Sequence, residues 1–267
     1  MKKTLLKILP FSLLLNLKIV KQYLVSILFL GNKYQCPNCN TGFRKMFKCG
    51  QEEAVLEKYQ VIGSGIRENC LCPRCYSIDR ERLIYLYLSK KTNIFSENIK
   101  LLHIAPRQSL RKIFKNSHNI SYYQGDKYEE GYHYPKDVIA LDITELNYND
   151  NYFDVIICNH VLEHVPNDFQ AMKELYRVLK PNGFAILQVP ISLKLNETFE
   201  IKSNTAEERK QLYGQFDHYR IYAKDFTNRL ESCNYKVSLY YPADIEINLD
   251  TERFGLNKSE YLIVANK

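Results

Sequence analysis

Six of the eight cysteines lie between residues 36 and 75, and four of them form two pairs with the spacing of metal ligands. Cys36 and Cys39 make one CxxC pair, and Cys72 and Cys75 make the other. A gap of two residues lets both thiolates of a pair turn toward one ion, and two such pairs complete a tetrahedron of sulfur atoms. The sequence therefore predicts a zinc site whose role is structural, because four thiolates leave no position open for catalysis.

Cys49 and Cys70 remain outside this set. Cys70 precedes Cys72 by two residues, a spacing that points side chains apart in extended chain, so we interpret it as a bystander, while Cys49 could compete with one ligand. The 32 residues between the pairs exceed the commonest spacing of a zinc ribbon. Disulfides are the alternative, and we disfavour them because no export signal is evident and a reducing compartment keeps thiols free.

A second group of titratable side chains follows an apolar run at residues 153–157. This run is mostly β-branched or aromatic, which predicts a strand covered on both faces. Asn159 and His160 come directly after it, followed by Glu163 and His164. Open α/β sheets bind ligands beyond the carboxyl ends of their strands. The histidine spacing also suits a metal, but the thiolates already account for one, so we predict a small-molecule site here.

The surrounding pattern predicts the elements that position these residues. Asp168 is expected to cap a helix that ends near residues 180–183, and residues 184–189 form the next strand, which completes a βαβ unit. The pattern at residues 77–88 predicts a connecting helix. Arg80 and Arg82 are expected to face solvent, with an anionic substrate as the alternative. Further strands are predicted at residues 101–105, 120–124, 138–141, 236–241 and 260–265.

Residues 100–190 resemble a class I S-adenosylmethionine-dependent methyltransferase, of the subgroup with a small cysteine-rich module in front. The resemblance is carried by Asp154 near the start of the fourth strand, by Val161-Leu162-Glu163-His164 after it, and by RVLKPNGFAILQVP at residues 177–190. It implies an α/β, Rossmann-like and mostly parallel sheet with a C-terminal antiparallel hairpin. Before this sheet we expect basic amphipathic helices (1–31), a zinc-ribbon-like module (32–76) and a connecting helix (77–99), with the methyltransferase domain at 100–267.

The cofactor implied by the resemblance is S-adenosylmethionine. Asp126 lies 21 residues after Ala105, where a carboxylate can accept hydrogen bonds from both ribose hydroxyls. By resemblance, Asp142 and Ile143 flank the adenine, and Asn159 and His160 border the cofactor. Ala105 stands where the family has its first glycines, which leaves the contacts of that loop open. An ordinary loop or cap is the alternative for each aspartate alone.

The resemblance leaves the acceptor unidentified. If it is a hydroxyl, a general base is useful, and His164 and His218 are the candidate catalytic residues. For His164 the alternative is a histidine pinned by hydrogen bonds. The polar segment 192–213 is expected to form a lid that orders on binding. Arg220 and Tyr222 could reach a polar acceptor.

The net charge of +7 is uneven, since residues 1–100 carry 17 Lys+Arg against 7 Asp+Glu and no acidic residue precedes Glu52. The first thirty residues are apolar, but Pro10, Lys18 and Lys21 interrupt them, which argues against a spanning helix. We expect residues 1–48 to contact an anionic membrane, peripherally on the inner, cytoplasmic face. The alternative is that this segment packs on the protein itself or on a second copy.

Three functions are compatible with these features. The favoured one is methyl transfer to a small-molecule, glycan or lipid-headgroup acceptor, at a hydroxyl. The second is a ribosomal RNA methyltransferase that uses the zinc ribbon to bind RNA. The sequence disfavours it, because the ribbon region lacks a dense basic run interleaved with aromatic residues and an Asn-Pro-Pro-Tyr type of motif is absent. The third is a non-catalytic scaffold that keeps the fold.

Overall fold

The computed structural model of the chain describes residues 11–128, 134–202 and 205–267. The strands, in chain order, are β1 (Leu30–Cys36), β2 (Thr41–Phe43), β3 (Phe47–Cys49), β4 (Val61–Ile62), β5 (Arg67–Leu71), β6 (Ile99–Ile104), β7 (Ile120–Asp126), β8 (Ile139–Ala140), β9 (Phe153–Asn159), β10 (Leu179–Gln188), β11 (Ile191–Ser192), β12 (Lys236–Tyr240) and β13 (Leu262–Asn266). The helices are α1 (Phe11–Ile27), α2 (Ala54–Lys58), α3 (Asp79–Lys91), α4 (Gln108–Lys115), α5 (Asp168–Val178), α6 (Ala206–Tyr213), α7 (Phe226–Glu231) and α8 (Pro242–Ile245), and a 3₁₀ turn spans Leu162–His164.

Seven of the described strands form one sheet in the order β12-β13-β10-β9-β6-β7-β8. The strands from β10 to β8 are parallel, and β13 pairs antiparallel with both β10 and β12. The predicted α/β sheet, mostly parallel with antiparallel C-terminal strands, is confirmed. From β6 the chain proceeds to β7 on one side, and it later returns to β9 on the other side. The crevice at this switch point, beyond the carboxyl ends of β6 and β9, is where such sheets bind ligands.

The two faces of β9 explain why its central residues, 155–158, are all apolar. Phe153, Ile156 and Cys158 point into a core that α5 covers, whereas Val155 and Ile157 point into a second core beneath α3 and α4. Side chains alternate between the faces of a strand, so a strand covered on both sides needs apolar residues at every position. Each side chain buried in this way contributes roughly 1.5–3 kcal/mol.

The boundaries of α5 differ from the prediction. Asn167, not Asp168, caps the helix, since its side chain accepts a hydrogen bond of 3.1 Å from the backbone N–H of Gln170. Asp168 is buried instead and forms an ion pair with Arg229. The helix ends at Val178, because Leu179 already pairs with Phe153 in the sheet, and the register shifts between Leu179 and Phe184.

The cysteine-rich region is built on two antiparallel strand pairs, β1 with β2 and β3 with β5. The long segment between the CxxC pairs extends away from them. There β4 pairs with β11, which follows the fifth strand of the main sheet, and Leu56 of α2 packs against Tyr213 and Ile221. The unusual spacing of 32 residues therefore reflects a segment that joins the cysteine module to the carboxyl edge of the main sheet.

Two expectations about this region are wrong. Cys70 is not a bystander, because the pairing of β3 with β5 brings it to Cys49 and the two form a disulfide with Cα atoms 5.7 Å apart. Arg82 does not face solvent: it is fully buried and donates hydrogen bonds to the carbonyls of Ser77, Phe254 and Gly255. Arg80 is also largely enclosed and donates to the carbonyl of Gly63. Both arginines hold the start of α3 against neighbouring loops.

Helix α1 contacts the protein through polar side chains. Gln22 donates to the carbonyl of Arg74, and Ser26 accepts from the guanidinium of Arg74. Seven apolar side chains of this region are exposed, namely Leu17, Ile19, Val20, Tyr23, Leu24, Ile27 and Leu28. No helix among the described residues combines the length and the apolar character needed to cross a bilayer. Residues 1–10, part of the predicted amphipathic segment, lie outside the described residues.

Candidate functional site

The predicted cofactor residues lie at one edge of the sheet. Ala105 follows β6, Asp126 ends β7, Asp142 comes shortly after β8, and Asn159 ends β9 with His160 directly after it. These four strands are neighbours in the order β9-β6-β7-β8 and run in the same direction. Their carboxyl ends therefore face the same crevice, although the contacts of each side chain with a cofactor remain predictions.

Ala105 adopts the backbone conformation that a glycine would be expected to supply. Its φ is +47°, in the left-handed region, and its N–H donates to the carbonyl of Gly125 at 2.8 Å. That conformation costs a residue with a Cβ about 1–2 kcal/mol. The loop after β6 thus makes the turn of a glycine-rich loop without the glycine.

The ends of β7 and β8 are held closely together. A Cβ at Gly125 would lie 2.7 Å from the side chain of Leu141, so only glycine fits, and the carbonyl of Asp126 accepts from the N–H of Leu141. Asp142 accepts hydrogen bonds from the N–H (2.8 Å) and the hydroxyl (2.7 Å) of Thr144, and these bonds lower the pKa of Asp142. Asp142 therefore stabilises its own turn and stays ionised at the edge of the crevice.

Ile143 and Asn159 differ in what surrounds them. Ile143 is 5% exposed and packs in the core, so its predicted contact with an adenine ring stays a prediction. The side-chain oxygen of Asn159 is buried and has no hydrogen-bond partner within the described parts of the chain. An unpaired buried acceptor is costly, so this position fits a ligand that donates a hydrogen bond.

His160 lies against the segment that follows β4. Its φ is +56°, and a Cβ at Gly63 would lie 3.1 Å from its ring, so the segment approaches β9 as closely as glycine permits. Burial lowers the pKa of His160 to about 4, with a smaller contribution from the charge of Arg80. The imidazole is therefore neutral near pH 7. Glu260 lies in the same wall, and burial raises the pKa of its carboxyl to about 7.

The two predicted catalytic histidines meet although 53 residues separate them in the chain. The rings of His164 and His218 are perpendicular, with centroids 4.5 Å apart. Nδ1 of His164 lies 3.0 Å from a carboxylate oxygen of Asp217, and Glu163 lies in the same cluster, 1% exposed. Burial lowers the pKa of His218 to about 4, so its ring is also neutral near pH 7. The sequence could indicate each histidine but not their contact.

Arg220 holds the two halves of this cluster together. Its guanidinium donates to the carbonyls of Leu162 (3.0 Å), Val165 (2.6 Å) and Pro166 (2.8 Å), which belong to the turn that carries Glu163 and His164. It also donates to both carboxylate oxygens of Glu200 at 3.0 and 2.7 Å.

The expectation that Arg220 and Tyr222 reach an acceptor is contradicted by their burial, since Arg220 is 1% and Tyr222 0% exposed. Tyr222 donates to the carboxylate of Asp168 at 2.8 Å, and Arg229 donates to the same carboxylate. Both residues therefore support the site from within the protein. Sequence reasoning missed this role, because nothing in the local pattern around Arg220 indicates which carbonyls it will meet.

The four cysteines of the CxxC pairs converge as predicted. Sγ of Cys36 lies 3.6 Å from Sγ of Cys75, and Sγ of Cys39 lies 3.8 Å from Sγ of Cys72. A tetrahedral ion with bonds of ~2.3 Å to sulfur places its ligands about 3.8 Å apart. The donor set and the spacing therefore fit a tetrahedral metal ion.

Residues 107–187 match the family profile described as a methyltransferase domain. The matched range begins after β6 and ends within β10, so it contains most of the edge described above. Within this range the chain carries a methyltransferase domain. The order of the seven strands and the match within this region together support the resemblance inferred from the sequence.

Relatives of the methyltransferase domain include two quinone-pathway enzymes. A ubiquinone/menaquinone biosynthesis C-methyltransferase of Rickettsia prowazekii is 28% identical over 168 residues, which are 61% of this chain and 59% of the relative. A ubiquinone biosynthesis O-methyltransferase of Rickettsia typhi is 45% identical over 49 residues, 18% of this chain and 20% of the relative. The chain thus spans less than two thirds of the curated relatives it matches.

Among solved structures, an S-adenosylmethionine-dependent methyltransferase from Archaeoglobus fulgidus superposes with a TM-score of 0.45 at 18% identity, covering 69% of this chain and 93% of that one.

We predict that Arg220→Met lowers the free energy of unfolding by roughly 3–5 kcal/mol, because it leaves three carbonyls and the carboxylate of Glu200 without their donor. Urea denaturation followed by circular dichroism measures this change. Lys224→Met, at an exposed position on the same segment, is the matched control and should change stability by less than about 0.5 kcal/mol. Equal stability of the two variants would contradict the conclusion that the hydrogen bonds of Arg220 hold the turn after β9 in place.

Proposed function

We propose that the chain transfers the methyl group of S-adenosylmethionine to a hydroxyl of a small-molecule, glycan or lipid-headgroup acceptor. The observation that carries this proposal is the meeting of the β6, β7, β8 and β9 ends at the switch point of the sheet. The last three of these ends lie inside the region that matches a methyltransferase domain. The relatives with quinone-pathway names favour a lipophilic or phenolic acceptor.

S-adenosylmethionine supplies an electrophilic methyl group on a sulfonium. In this proposal Asp126 accepts hydrogen bonds from the ribose hydroxyls, and the backbone at Ala105 approaches the methionine portion. Asp142 and Ile143 flank the adenine, and the unpaired oxygen of Asn159 accepts a hydrogen bond from the cofactor. His160 closes the wall beside it and helps to keep water away.

His164 is the residue best oriented to take the proton of an acceptor hydroxyl. Its Nδ1 lies 3.0 Å from a carboxylate oxygen of Asp217, which orients the ring for this role. As the hydroxyl oxygen forms its bond to the methyl carbon, the bond from that carbon to sulfur breaks and the proton passes to the imidazole. The sulfonium thereby becomes a neutral thioether. His218 is the second candidate for this role.

The four converging thiolates support zinc as a structural ion of the cysteine module. Cys36, Cys39, Cys72 and Cys75 would hold it, and a closed set of four sulfur ligands gives it no part in the chemistry. The ion would hold the cysteine module in place, and the central segment of that module forms the wall against His160.

Labelled S-adenosylmethionine, offered with the purified protein to separate lipid, polysaccharide, RNA and protein fractions, tests the acceptor class. We expect label in the lipid or polysaccharide fraction. Label in RNA alone would establish the ribosomal RNA alternative, and no transfer to any fraction would favour a non-catalytic scaffold.

Asp126→Asn should weaken S-adenosylmethionine binding at least tenfold, since hydrogen bonds to a charged acceptor contribute about 1.5–3 kcal/mol. Isothermal calorimetry measures the dissociation constant. Asp150→Asn is the matched control, because Asp150 precedes β9 at the opposite edge of the sheet and its side chain is 68% exposed. Unchanged binding by Asp126→Asn would show that the ribose assignment is wrong.

We also propose that α1 rests on an anionic membrane surface, which would bring a lipid acceptor within reach. The support is the exposed apolar face of α1 together with exposed basic residues nearby, namely Lys21, Lys33, Arg44, Lys45 and Lys48. An apolar face beside basic groups suits the boundary between acyl chains and anionic headgroups.

Sedimentation with vesicles of phosphatidylcholine and phosphatidylserine tests this placement. Leu24→Glu, at a side chain on α1 that is 57% exposed, should reduce vesicle binding more than about tenfold through lost apolar burial and added repulsion. Ile247→Glu, at an 86% exposed side chain elsewhere, is the control and should bind like the parent. A parent protein that stays in the supernatant as a dimer would instead assign the face of α1 to a second copy of the chain.

A further inference from the structure

The cluster beside the crevice contains buried polar atoms that the protein itself leaves unpaired. Oε2 of Glu163 and Nε2 of His218 have no hydrogen-bond partner among the described residues, and Oε1 of Glu163 has only Nδ1 of His160 near it, at 3.3 Å. Glu163 is 1% exposed and His218 is 3% exposed, so water does not reach them freely. A buried carboxylate whose oxygens are incompletely paired is costly, whereas a bound cation would satisfy it.

The geometry of the cluster suits one ion. Glu163, His164 and His218 each offer a donor atom, and these three atoms lie within 4.8 Å of one another. Ligands of a single ion with bonds of about 2.1 Å lie roughly 3–4 Å apart, so a small inward movement of the side chains is enough to enclose it.

Neighbouring groups already orient the candidate ligands. Asp217 engages Nδ1 of His164 at 3.0 Å, which is the carboxylate–histidine arrangement that supports metal-bound imidazoles. Arg220 fixes the turn on one side of the cluster, and the N–H of Tyr219 donates to the backbone carbonyl of Glu163 at 2.9 Å. The backbone of both ligand-bearing segments is therefore held in place without an ion.

We propose that Glu163, His164 and His218 bind one divalent first-row transition ion. Two imidazoles and one carboxylate suit manganese, iron, cobalt or zinc better than magnesium or calcium, which prefer oxygen ligands. The site is distinct from the four thiolates, which form a separate cluster in the cysteine module and match a softer, closed site. This proposal goes beyond the expectation that the thiolates alone account for the metal of this chain.

Three protein ligands leave coordination positions open, which sets this site apart from a structural one. An oxygen of the acceptor can occupy an open position, where the ion lowers the pKa of a hydroxyl and fixes its direction. This step rests on the proposed methyl transfer. The histidines would then act as ligands and not as the general base, and the hydroxyl proton would pass to solvent.

Mn²⁺ titration of the full-length protein, followed by electron paramagnetic resonance, tests the ion site directly. The thiolates are loaded with zinc beforehand and their occupancy is verified by elemental analysis, so that they do not compete. We expect one bound Mn²⁺ per chain, with pulsed spectra that show coupling to imidazole nitrogen. A parent protein that binds no Mn²⁺ at millimolar concentration overturns the proposal.

Two variants assign the ligands. Glu163→Gln preserves the size of the side chain but removes its charge, and His218→Ala removes one imidazole; each should weaken Mn²⁺ binding at least roughly tenfold. His118→Ala changes an exposed histidine outside the cluster and should bind like the parent. Urea denaturation verifies that each variant is folded. Binding that is undiminished in both folded ligand variants overturns the assignment.

These measurements test the ion site and the methyl transfer independently of each other. Mn²⁺ binding that depends on Glu163 and His218, in a protein that transfers no label, supports the ion site and contradicts the proposed function. Label transfer by a protein that binds no Mn²⁺ overturns the ion site. In that case His164 or His218 is the candidate for the general base.

Discussion

The candidate site depends on the buried guanidinium of Arg220. This one group donates to three carbonyls of the turn after β9 and to the carboxylate of Glu200, while its own segment carries Asp217 and His218. A charge buried in this way is stable only when its hydrogen bonds are satisfied and its charge is balanced. Here Glu200 and Asp168 supply the balance, at 2.7 and 3.8 Å. The contact between His164 and His218 follows from that constraint.

The cysteine module contributes to the same site from the other side. Its long central segment pairs with β11 through β4 and presents Gly63 to the ring of His160. The module and the sheet therefore share a wall of the crevice, and Arg80 at the start of α3 holds that wall through the carbonyl of Gly63. A change in the thiolate cluster is expected to affect the crevice through this segment, although the two lie far apart in the chain.

Much of the sheet could be predicted because its strands are covered on both faces. The central residues of β9, 155–158, are covered on both faces and must be apolar, and that run can be recognised in the sequence. The CxxC pairs could also be recognised from the sequence, because their spacing reflects local geometry. The end of α5 was harder to predict: Leu179 enters the sheet before the Lys180-Pro181-Asn182-Gly183 signal, and tertiary pairing with Phe153 overrides the local stop.

The positions of the site residues required more than local pattern. Asp168 looked like a helix cap, yet it became the buried partner of Arg229 because Asn167 could serve as the cap. Ala105 could not be recognised as a substitute for glycine, since its left-handed backbone is imposed by pairing across the sheet, where its N–H meets Gly125. Arg82 and Arg220 looked like solvent-exposed or substrate-binding charges, but both satisfy carbonyls that come from distant segments.

By itself the sequence determined the class of the fold, the thiolate cluster and the acidic residues at the strand ends. These features arise from periodicity and from spacing over a few residues, which the chain encodes locally. Only the tertiary structure decided which titratable groups meet: His164 with His218, Cys49 with Cys70, and the turn after β9 with Arg220. Such contacts join segments that are tens of residues apart, and they form where packing leaves a buried polar atom that needs a partner.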